Sequence, residues 1–531
     1  MSSIPPTAVE GASLFFTDAR ACKAWLGGLA VSNVAQTLSS VLDALRVFNR
    51  APFDPLERLK SLELLRDRVG FMMTELRTRV FSRPLPHGTG DVAAWDVARL
   101  VLEEMEGGYR RALAEPQLAE HAALVTQRLI RYVAAQMVLH GVVYRDFDAV
   151  LWTRLHQAYA GAERAGYAED KVKDSLEAEG GASSVAEAYA QAVLLDAAGF
   201  HEMTGAQAQF AESLVKLWAR KLKVSLQAPE DAPAILPMVV DLAASAGAAP
   251  VRAESLSGSH RVISVEELGR SIRRRIRVLQ AGEEGTTLGL PAAALGVDLA
   301  TALPRLAKRW CEPAAPEGAL EPVSGKPAGL VSGLNEAHFF LSGGKAFEQP
   351  GQERDLTTQE KNDIAVFGRI TERTQTLMAA SASPNSPSYT VDAWETVGEG
   401  LGLVRIRRRT AGSRAAAIGR IVALRMGEAG APFQLGVIRA LYNRGDAIEA
   451  VVALYPGRPT PAAVRSSNSP WAQAIGLPAL EKIGVPATLI VPATMGSRGR
   501  SLQVLEVDEK REAKVQDVLE READFSRIVA A

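Results

Sequence analysis

The chain has 531 residues, of which 47% are hydrophobic and 23% are charged, and its formal net charge is −1. This length exceeds what one hydrophobic core supports and predicts about two to four domains. The composition is globular, which excludes a wholly disordered protein, and the charge lacks the strong basic excess of a dedicated nucleic-acid binder. We therefore expect a folded, multidomain protein whose partner is not a nucleic acid.

Cysteine usage and the N-terminus bear on the cellular compartment. The two cysteines, Cys22 and Cys311, lie far apart in apolar or helical surroundings. They indicate neither a disulfide framework nor a zinc site and favour a reducing compartment. The first ten residues lack the basic and apolar regions of a secretory signal, and no run of roughly eighteen apolar residues occurs. We expect a soluble cytoplasmic protein without membrane insertion.

Residues 1–225 are expected to form an all-α helical scaffold domain, rich in alanine and leucine. Asp54-Pro55-Leu56-Glu57 has the residues of a helix start: an N-cap, a first-turn proline and an N3 glutamate. Apolar residues then recur at spacings of three and four, which predicts one buried stripe: Leu62, Leu65, Val69, Met72 and Leu76. Trp152, Leu155 and Tyr159 are similar to a tetratricopeptide helix, but no 34-residue recurrence follows, so a plain antiparallel helical array is favoured. Such a surface suits contacts with an unidentified protein partner.

Residues 226–350 are predicted to be a mixed α/β linking domain. Strands are expected over 235–242 and 261–265, and Ser264 to Glu267 has the form of a capping box that starts a helix ending near Leu279. A proline-rich connection at 313–327 then precedes a helix predicted over 330–341.

The helix that ends near Leu279 carries five arginines: Arg270, Arg273, Arg274, Arg275 and Arg277. A basic helix of this kind can bind phosphate, anionic lipid or an acidic partner. The favoured interpretation is structural, a solvated face whose arginine stems cover neighbouring apolar surface.

Strand patterns dominate residues 351–470. After a loop predicted over 379–387, alternating or apolar segments occur with a hairpin turn at Tyr442 to Asp446. The predicted strands are 389–393, 401–407, 418–425, 433–441 and 447–454. Short strands without intervening helices predict an antiparallel barrel or sandwich. In 471–531 a helix is predicted over 472–482 and strands over 487–491 and 501–507, and these either extend the barrel or form a companion sheet.

The fold class expected for the whole chain is α+β. It combines the N-terminal all-α array, the mixed α/β middle region and a C-terminal antiparallel six-stranded β-barrel. The seven histidines are scattered without metal-ligand spacing, and no nucleophile elbow, nucleotide fingerprint or phosphate loop occurs; Ser342-Gly343-Gly344-Lys345 lacks the required flanking residues. We expect no catalytic site, no metal and no cofactor, and hence no enzyme.

One stretch does carry ligand chemistry. Arg369 and Arg373 lie four apart, and a glycine-rich segment that contains Glu395, Gly398 and Gly400 follows some twenty residues later. Arginine suits phosphate because its planar fork gives two parallel charge-assisted hydrogen bonds. The alternative is a basic loop followed by a tight hairpin.

This stretch resembles the PilZ domain, a bacterial receptor for cyclic di-GMP. That family has an Arg-x-x-x-Arg element, a spacer, an Asp/Asn-x-Ser-x-x-Gly turn and a six-stranded barrel. Arg369 and Arg373 match the first element, and residues 395–400 take the place of the turn, with Glu395 for the Asp or Asn and Val397 for the serine. The resemblance implies that Arg369 and Arg373 clamp the dinucleotide, while Glu395, Gly398 and Gly400 form the other wall.

The function expected from this resemblance is that of a signalling adaptor that senses cyclic di-GMP and transmits binding to protein contacts of the helical region. The alternative is a structural interaction scaffold whose barrel keeps the fold but has lost the ligand. Val397 and Glu395 favour this alternative, because valine offers no hydrogen-bonding group and glutamate stands where the family has Asp or Asn.

Overall fold

A computed structural model describes most of the chain. The described residues are 14–30, 33–78, 83–176, 181–226, 235–248, 257–282, 288–312, 320–350, 358–369, 371, 373–374, 389–410, 414–428, 430–467, 469–506 and 509–531. The predicted loop at 379–387 lies outside them. No helix within these ranges has the length and apolar character needed to cross a membrane.

Twelve α-helices occur in the described residues, and the first eight lie close together in sequence. In chain order, α1 to α12 are Ala19–Gly27, Val34–Arg50, Pro55–Leu76, Thr89–Leu113, Ala122–Gly141, Val150–Ala165, Val185–Ala197, Gly205–Trp218, Glu266–Gln280, Leu299–Cys311, Leu334–Leu341 and Thr358–Phe367.

Seventeen strands occur in the same residues, mostly in the C-terminal part. In chain order, β1 to β17 are Val172–Lys173, Ala182–Ser183, Lys223–Ser225, Met238–Asp241, His260–Ser264, Glu321–Ser332, Asp392–Gly400, Leu403–Arg409, Ile421–Met426, Gln434–Asn443, Ala447–Leu454, Thr460–Arg465, Ala472–Leu477, Thr488–Pro492, Ser501–Glu506, Glu509–Arg521 and Phe525–Ala530. The predicted α+β class is confirmed.

The chain divides into two compact units. Unit 1 comprises residues 1–317 and 440–448, and unit 2 comprises residues 318–439 and 449–531. The helices α1 to α10 contribute to one hydrophobic cluster of unit 1, whereas unit 2 is built mainly from strands.

The helix α3 shows how local sequence sets the elements of unit 1. The Asp54 carboxylate accepts hydrogen bonds from the backbone amides of Leu56 and Glu57, which have no partner within the helix. The predicted apolar stripe is buried: Leu62, Leu65, Val69, Met72 and Leu76. On α6, Trp152, Leu155 and Tyr159 are buried as well.

A buried ionic cluster holds the β1–β2 hairpin on the helices of unit 1. Asp174, which directly follows β1, lies among the side chains of Arg66 on α3 and of Gln127, Arg128 and Arg131 on α5. Arg66 donates to its Oδ1, and Gln127 Nε2 donates to its Oδ2 at 2.9 Å. The same Oδ2 is 3.4 Å from Arg128 Nη1 and 3.6 Å from Arg131 Nε. This carboxylate offsets the charge of three guanidinium groups, two of which are almost fully buried.

The middle of the chain differs from two expectations. The strands β3, β5 and β4 form a three-stranded antiparallel sheet, and β5 leads into α9 as predicted. The capping box at Ser264 was wrong, because α9 has Val265 at its N-cap and no side chain caps it. The helix predicted over 330–341 was also wrong in its first part, since Leu330 lies in β6 and α11 begins only at Leu334.

The C-terminal part of the chain contains two closed antiparallel barrels of six strands each. The first barrel has the strand order β10-β11-β8-β7-β6-β9, and the second has the order β12-β13-β14-β17-β16-β15. The predicted barrel limits of 351 and 470 do not match this strand membership, because β6 lies before residue 351 and β12 belongs to the second barrel. The question left open for residues 471–531 is answered: with β12, their strands close a barrel of their own.

For two of the strands that escaped prediction, β6 and β13, the physical reason is clear. The strand β6 contains Pro322 and Pro327, which were read as a loop signal, and its pairing with β7 is irregular between Pro322 and Lys326. The strand β13 was predicted as a helix, but its small residues allow close strand pairing. A Cβ atom on Gly476, for example, would lie 2.9 Å from Thr460 Oγ1 on the neighbouring strand.

The two barrels and α11 share one hydrophobic cluster within unit 2. Leu334 and Ala337 of α11 pack with residues of both barrels, among them Ile421, Leu435, Ile475 and Phe525. Beside it, Arg439 on β10 pairs with Glu520 at 2.5 Å and with Glu522 at 3.0 Å. The position of the first barrel is therefore fixed by apolar and ionic contacts with the second.

The ionic cluster around Asp174 predicts a large stability effect. Replacing Asp174 by Asn leaves the guanidinium groups with less opposing charge, so we expect the free energy of unfolding to fall by about 3–5 kcal/mol. Chemical denaturation followed by circular dichroism measures this. The control Asp170→Ala changes an exposed carboxylate nearby and should shift stability by less than about 0.5 kcal/mol. Equal stability of the two variants would contradict the assigned role.

The buried Asp196 on α7 predicts that the stability of the protein depends on pH. Its carboxylate and the Trp152 indole both lie against Gly247, and burial raises the pKa of Asp196 from 3.8 to about 6. A raised folded-state pKa means that the folded form binds the proton more tightly, so this contribution to stability is lost as pH rises from about 4 to about 6. Asp196→Asn should therefore stabilise the protein by roughly 1–3 kcal/mol at pH 7 and much less at pH 3.5, measured by denaturation at both values. A pH-independent difference would contradict this assignment.

Candidate functional site

The two arginines predicted to bind the ligand follow α12. This helix ends at Phe367, and Gly368 has a φ of +67°, the left-handed conformation that glycine adopts readily after a helix. The side chains of Arg369 and Arg373 are exposed, and neither has an ion pair or a hydrogen bond to another described residue. The guanidinium groups are therefore accessible to an anion from solvent. Ile370 and Glu372 of the same motif lie outside the described residues.

Hydrogen bonds connect the residues between the arginines to α12. The carboxylate of Asp363 accepts from the backbone amide of Thr371 at 2.9 Å and from its hydroxyl at 2.7 Å. Hydrogen bonds from Thr374 and Thr371 lower the pKa of Asp363, so it remains ionised at neutral pH. Thr371 Oγ1 also lies 3.4 Å from the backbone nitrogen of Thr374. These bonds hold Thr371, which lies between the two arginines, on the carboxylate of α12.

The glycine-rich segment is a strand rather than the predicted turn. Residues 395–400 form the second half of β7, which pairs with β6 on one side and β8 on the other. The turn lies after it, at Leu401 and Gly402, where Gly402 has a φ of +70°. Val397 sits at a bulge between Thr396 and Gly398. The turn prediction was wrong because the glycines here allow close packing within the sheet.

Glu395 has a cationic partner on the neighbouring strand. It lies directly opposite Arg407 in the antiparallel pairing, and Arg407 Nη2 is 3.3 Å from its Oε2. About half of each side chain is exposed, so the pair contributes little to stability and exchanges readily with other partners.

The two glycines predicted for the site differ in their surroundings. Gly398 is buried, and a Cβ atom there would lie 3.3 Å from the Arg405 Cβ, so packing accounts for the absence of a side chain. Gly400 is half-buried and pairs with Leu403 at the end of the hairpin. Of these two glycines, Gly400 is the one that lies next to the exposed turn.

Sequence reasoning missed a row of cations on the outer face of the first barrel. On β8, Val404, Ile406 and Arg408 are buried, and the alternate residues Arg405, Arg407 and Arg409 lie on the outer side. Lys326 on β6 adds another charge 3.4 Å from Glu399. The signal was present as strict alternation of apolar and basic residues over 404–407, but it is informative only once the strand is known.

The buried arginine of this strand has a different role. Arg408 donates to Asp392 at 3.0 Å, and its guanidinium carbon lies 4.3 Å from the ring centroid of Trp394. It is thus held by a carboxylate and an indole and is not available to a ligand.

The structure places all five predicted residues in unit 2 but records no direct contact between the two groups. Among the described residues, no hydrogen bond or ion pair joins Arg369 or Arg373 to Glu395, Gly398 or Gly400. The part of the chain that the structure describes contains no group of three or more acidic, histidine or cysteine side chains placed to hold a metal ion. The arrangement thus offers a set of exposed guanidinium groups, suited chemically to phosphate, and one exposed carboxylate.

Comparison with known proteins gives one match. Residues 20–230, which lie within unit 1, match the family model described as the cyclic-di-GMP receptor FimW, N-terminal domain. No curated protein and no solved structure matches the chain. The family model covers the helical region and does not extend to the barrel that carries Arg369 and Arg373.

The exposed pair of Glu395 and Arg407 predicts a small structural effect. Because both side chains are half-exposed, Arg407→Gln should lower the free energy of unfolding by less than about 1 kcal/mol. By contrast, Arg408→Gln on the same strand should cost about 2–4 kcal/mol, since it leaves Asp392 without its buried partner. Denaturation of both variants tests this, and a large loss for Arg407→Gln would show that the pair is structural.

Proposed function

We propose that the protein is a receptor for cyclic di-GMP that transmits binding to protein contacts, with a PilZ-like first barrel as the ligand-binding part. The observation that carries this proposal is the match of residues 20–230 to the N-terminal domain of a cyclic-di-GMP receptor. Arg369 and Arg373, exposed and without a partner among the described residues, support it independently, since they supply the chemistry that two phosphodiester groups require.

The phosphates are assigned to Arg369 and Arg373. A guanidinium group that already bonds a carboxylate must lose that bond before it binds phosphate, and neither arginine has such a bond to another described residue. The Asp363–Thr371 hydrogen bonds hold the intervening backbone, which reduces the conformational entropy lost when the ligand binds. Both features favour binding.

The guanine bases are assigned to the wall formed by Glu395, Gly398 and Gly400. The carboxylate of Glu395 accepts two hydrogen bonds from the Watson–Crick edge of guanine, whose N1–H and exocyclic amino group both donate. Arg407 then loses its weak contact with Glu395 and is free to face the acceptor atoms of a base or a phosphate oxygen. The outer face of β8 is thereby part of the proposed site.

Signal transmission requires that the ligand bind two arrangements of the protein with different affinity. In this proposal the segment that carries Arg369 and Arg373 changes its packing when the guanidinium groups close on the ligand. The helical region of unit 1 is the surface for an unidentified protein partner. The protein acts in the cytoplasm as an adaptor and not as an enzyme.

A structural scaffold is the second candidate. Two observations favour it: Glu395 is already engaged by Arg407, and Val397 stands at a bulge without a polar group to offer. In this alternative the barrel keeps its fold without a ligand, and partner binding does not depend on Arg369 or Arg373.

Calorimetric titration of the full chain with cyclic di-GMP separates the two candidates. We expect saturable binding that the double substitution Arg369→Ala and Arg373→Ala weakens by about 100-fold or more, since each charge-assisted bond to phosphate contributes about 1.5–3 kcal/mol. A matched control is Arg458→Ala with Arg498→Ala, which also removes two exposed arginines from unit 2. The control should bind like the original protein.

Absence of heat and of a thermal shift at ligand concentrations far above micromolar would overturn the receptor proposal and favour the scaffold. Binding that survives the Arg369 and Arg373 substitutions would keep the receptor but move the ligand to another site.

A further inference from the structure

The arginines of α9 separate into two groups by their surroundings. Arg275 is half-buried and held in place: its Nε donates to the carbonyl of Leu288 at 2.9 Å, its Nη1 donates to Ser271 Oγ at 2.6 Å, and its guanidinium carbon lies 5.2 Å from the ring centroid of Trp218. Burial and the neighbouring Arg274 lower the pKa of Arg275. This arginine belongs to the packing of unit 1.

The other four arginines form a row on the opposite, exposed side of the helix. Their positions span an arc of about 100° and a length of about 10 Å, given the spacing of residues on an α-helix. We call this the arginine row; its members are Arg270, Arg273, Arg274 and Arg277.

Three members of the arginine row have no partner among the described residues. Arg270 pairs with Glu266 one turn earlier, whereas Arg273, Arg274 and Arg277 make no ion pair or side-chain hydrogen bond with another described residue. No acidic residue follows Glu267 in α9. The exposure of these arginine side chains agrees with the solvated face favoured from the sequence, and Arg275 is the arginine of α9 whose guanidinium lies over an aromatic ring.

The face of α9 opposite the arginine row packs into the core of unit 1. Leu268 and Ile272 are buried, and Gly269 allows a close approach, since a Cβ atom there would lie 2.3 Å from Ile235 Cδ1 and 2.9 Å from Cys311 Sγ. The helix therefore cannot turn its apolar side toward a bilayer. Leu236, next to the packed Ile235, is 53% exposed and adds one apolar side chain to the surface near the start of the helix.

We propose that the arginine row binds the anionic headgroups of a phospholipid surface. The row is a convex helix face on which every outward residue of three turns is charged or polar. A protein interface usually has a buried centre of aromatic and apolar residues, and this face provides none. A fluid layer of phosphate groups adapts to such a convex cationic face without a preformed complementary shape.

The binding expected is peripheral and electrostatic. A basic residue near an anionic membrane surface increases partitioning roughly fivefold, so the three unpaired arginines give on the order of 100-fold over a neutral surface. The attraction acts within about one Debye length and therefore falls steeply with salt. This inference is independent of the cyclic-di-GMP site, because it concerns unit 1 and requires no nucleotide.

Sedimentation of the full chain with sucrose-loaded vesicles tests the proposal. We expect binding at about 50 mM salt to phosphatidylcholine vesicles that contain about 30% phosphatidylglycerol, little binding to phosphatidylcholine alone, and loss of binding at about 500 mM salt. The triple substitution Arg273→Gln, Arg274→Gln and Arg277→Gln should lower partitioning on the order of 100-fold. A matched control, Arg20→Gln with Arg50→Gln and Arg164→Gln, removes the same charge from exposed arginines elsewhere in unit 1 and should keep most of the binding.

Four outcomes would overturn the proposal. These are no binding to the anionic vesicles at low salt, equal binding to neutral vesicles, equal losses in the two triple variants, and tighter binding to a short DNA duplex than to the anionic vesicles. Because all six substituted arginines are exposed, the variants should fold normally, which circular dichroism and thermal unfolding verify.

Discussion

A guanidinium group removed from water needs a carboxylate, a carbonyl or an aromatic face, and this constraint sorts the arginines of the protein. Arg66 and Arg128 share Asp174 in unit 1, Arg408 lies between Asp392 and Trp394 in the first barrel, and Arg275 is held by Ser271 and a backbone carbonyl. These arginines maintain the fold. Exposed arginines without a partner among the described residues are left for contacts with other molecules, and they include Arg369 and Arg373 after α12 and Arg273, Arg274 and Arg277 on α9.

The first barrel depends on the second for its position. A single hydrophobic cluster includes residues of both barrels and of α11, and the ion pairs of Arg439 with Glu520 and Glu522 lie beside it. Within unit 2 these contacts hold the first barrel, and with it the outer face of β8, against the second barrel. Thr371, which lies between Arg369 and Arg373, is connected to α12 through Asp363.

The sequence predicted correctly those elements whose start, end or buried face depends on residues close together in the chain. Asp54 and the apolar stripe of α3 gave its start and its buried face, and Tyr442 to Asp446 gave the hairpin of β10 and β11, since each depends on neighbours in sequence. The candidate site was predicted in part. Arg369 and Arg373 are exposed as expected, whereas Glu395 to Gly400 form a strand instead of the predicted turn. A six-stranded barrel was predicted, but the membership of β6 and the second barrel escaped prediction, because barrel membership depends on pairing of distant segments, such as β6 with β9, and prolines in β6 hid the strand.

The membership of β6 in the first barrel determines where the chain can be cut. The strand β6 pairs with both β7 and β9, so a fragment that begins at residue 351 leaves each of them with an unpaired edge. Open edges of this kind template intermolecular strand pairing and aggregation. An excised C-terminal piece must therefore begin before Glu321 if its barrel is to close, and a nucleotide titration of a shorter fragment would report on an opened sheet instead of the native fold.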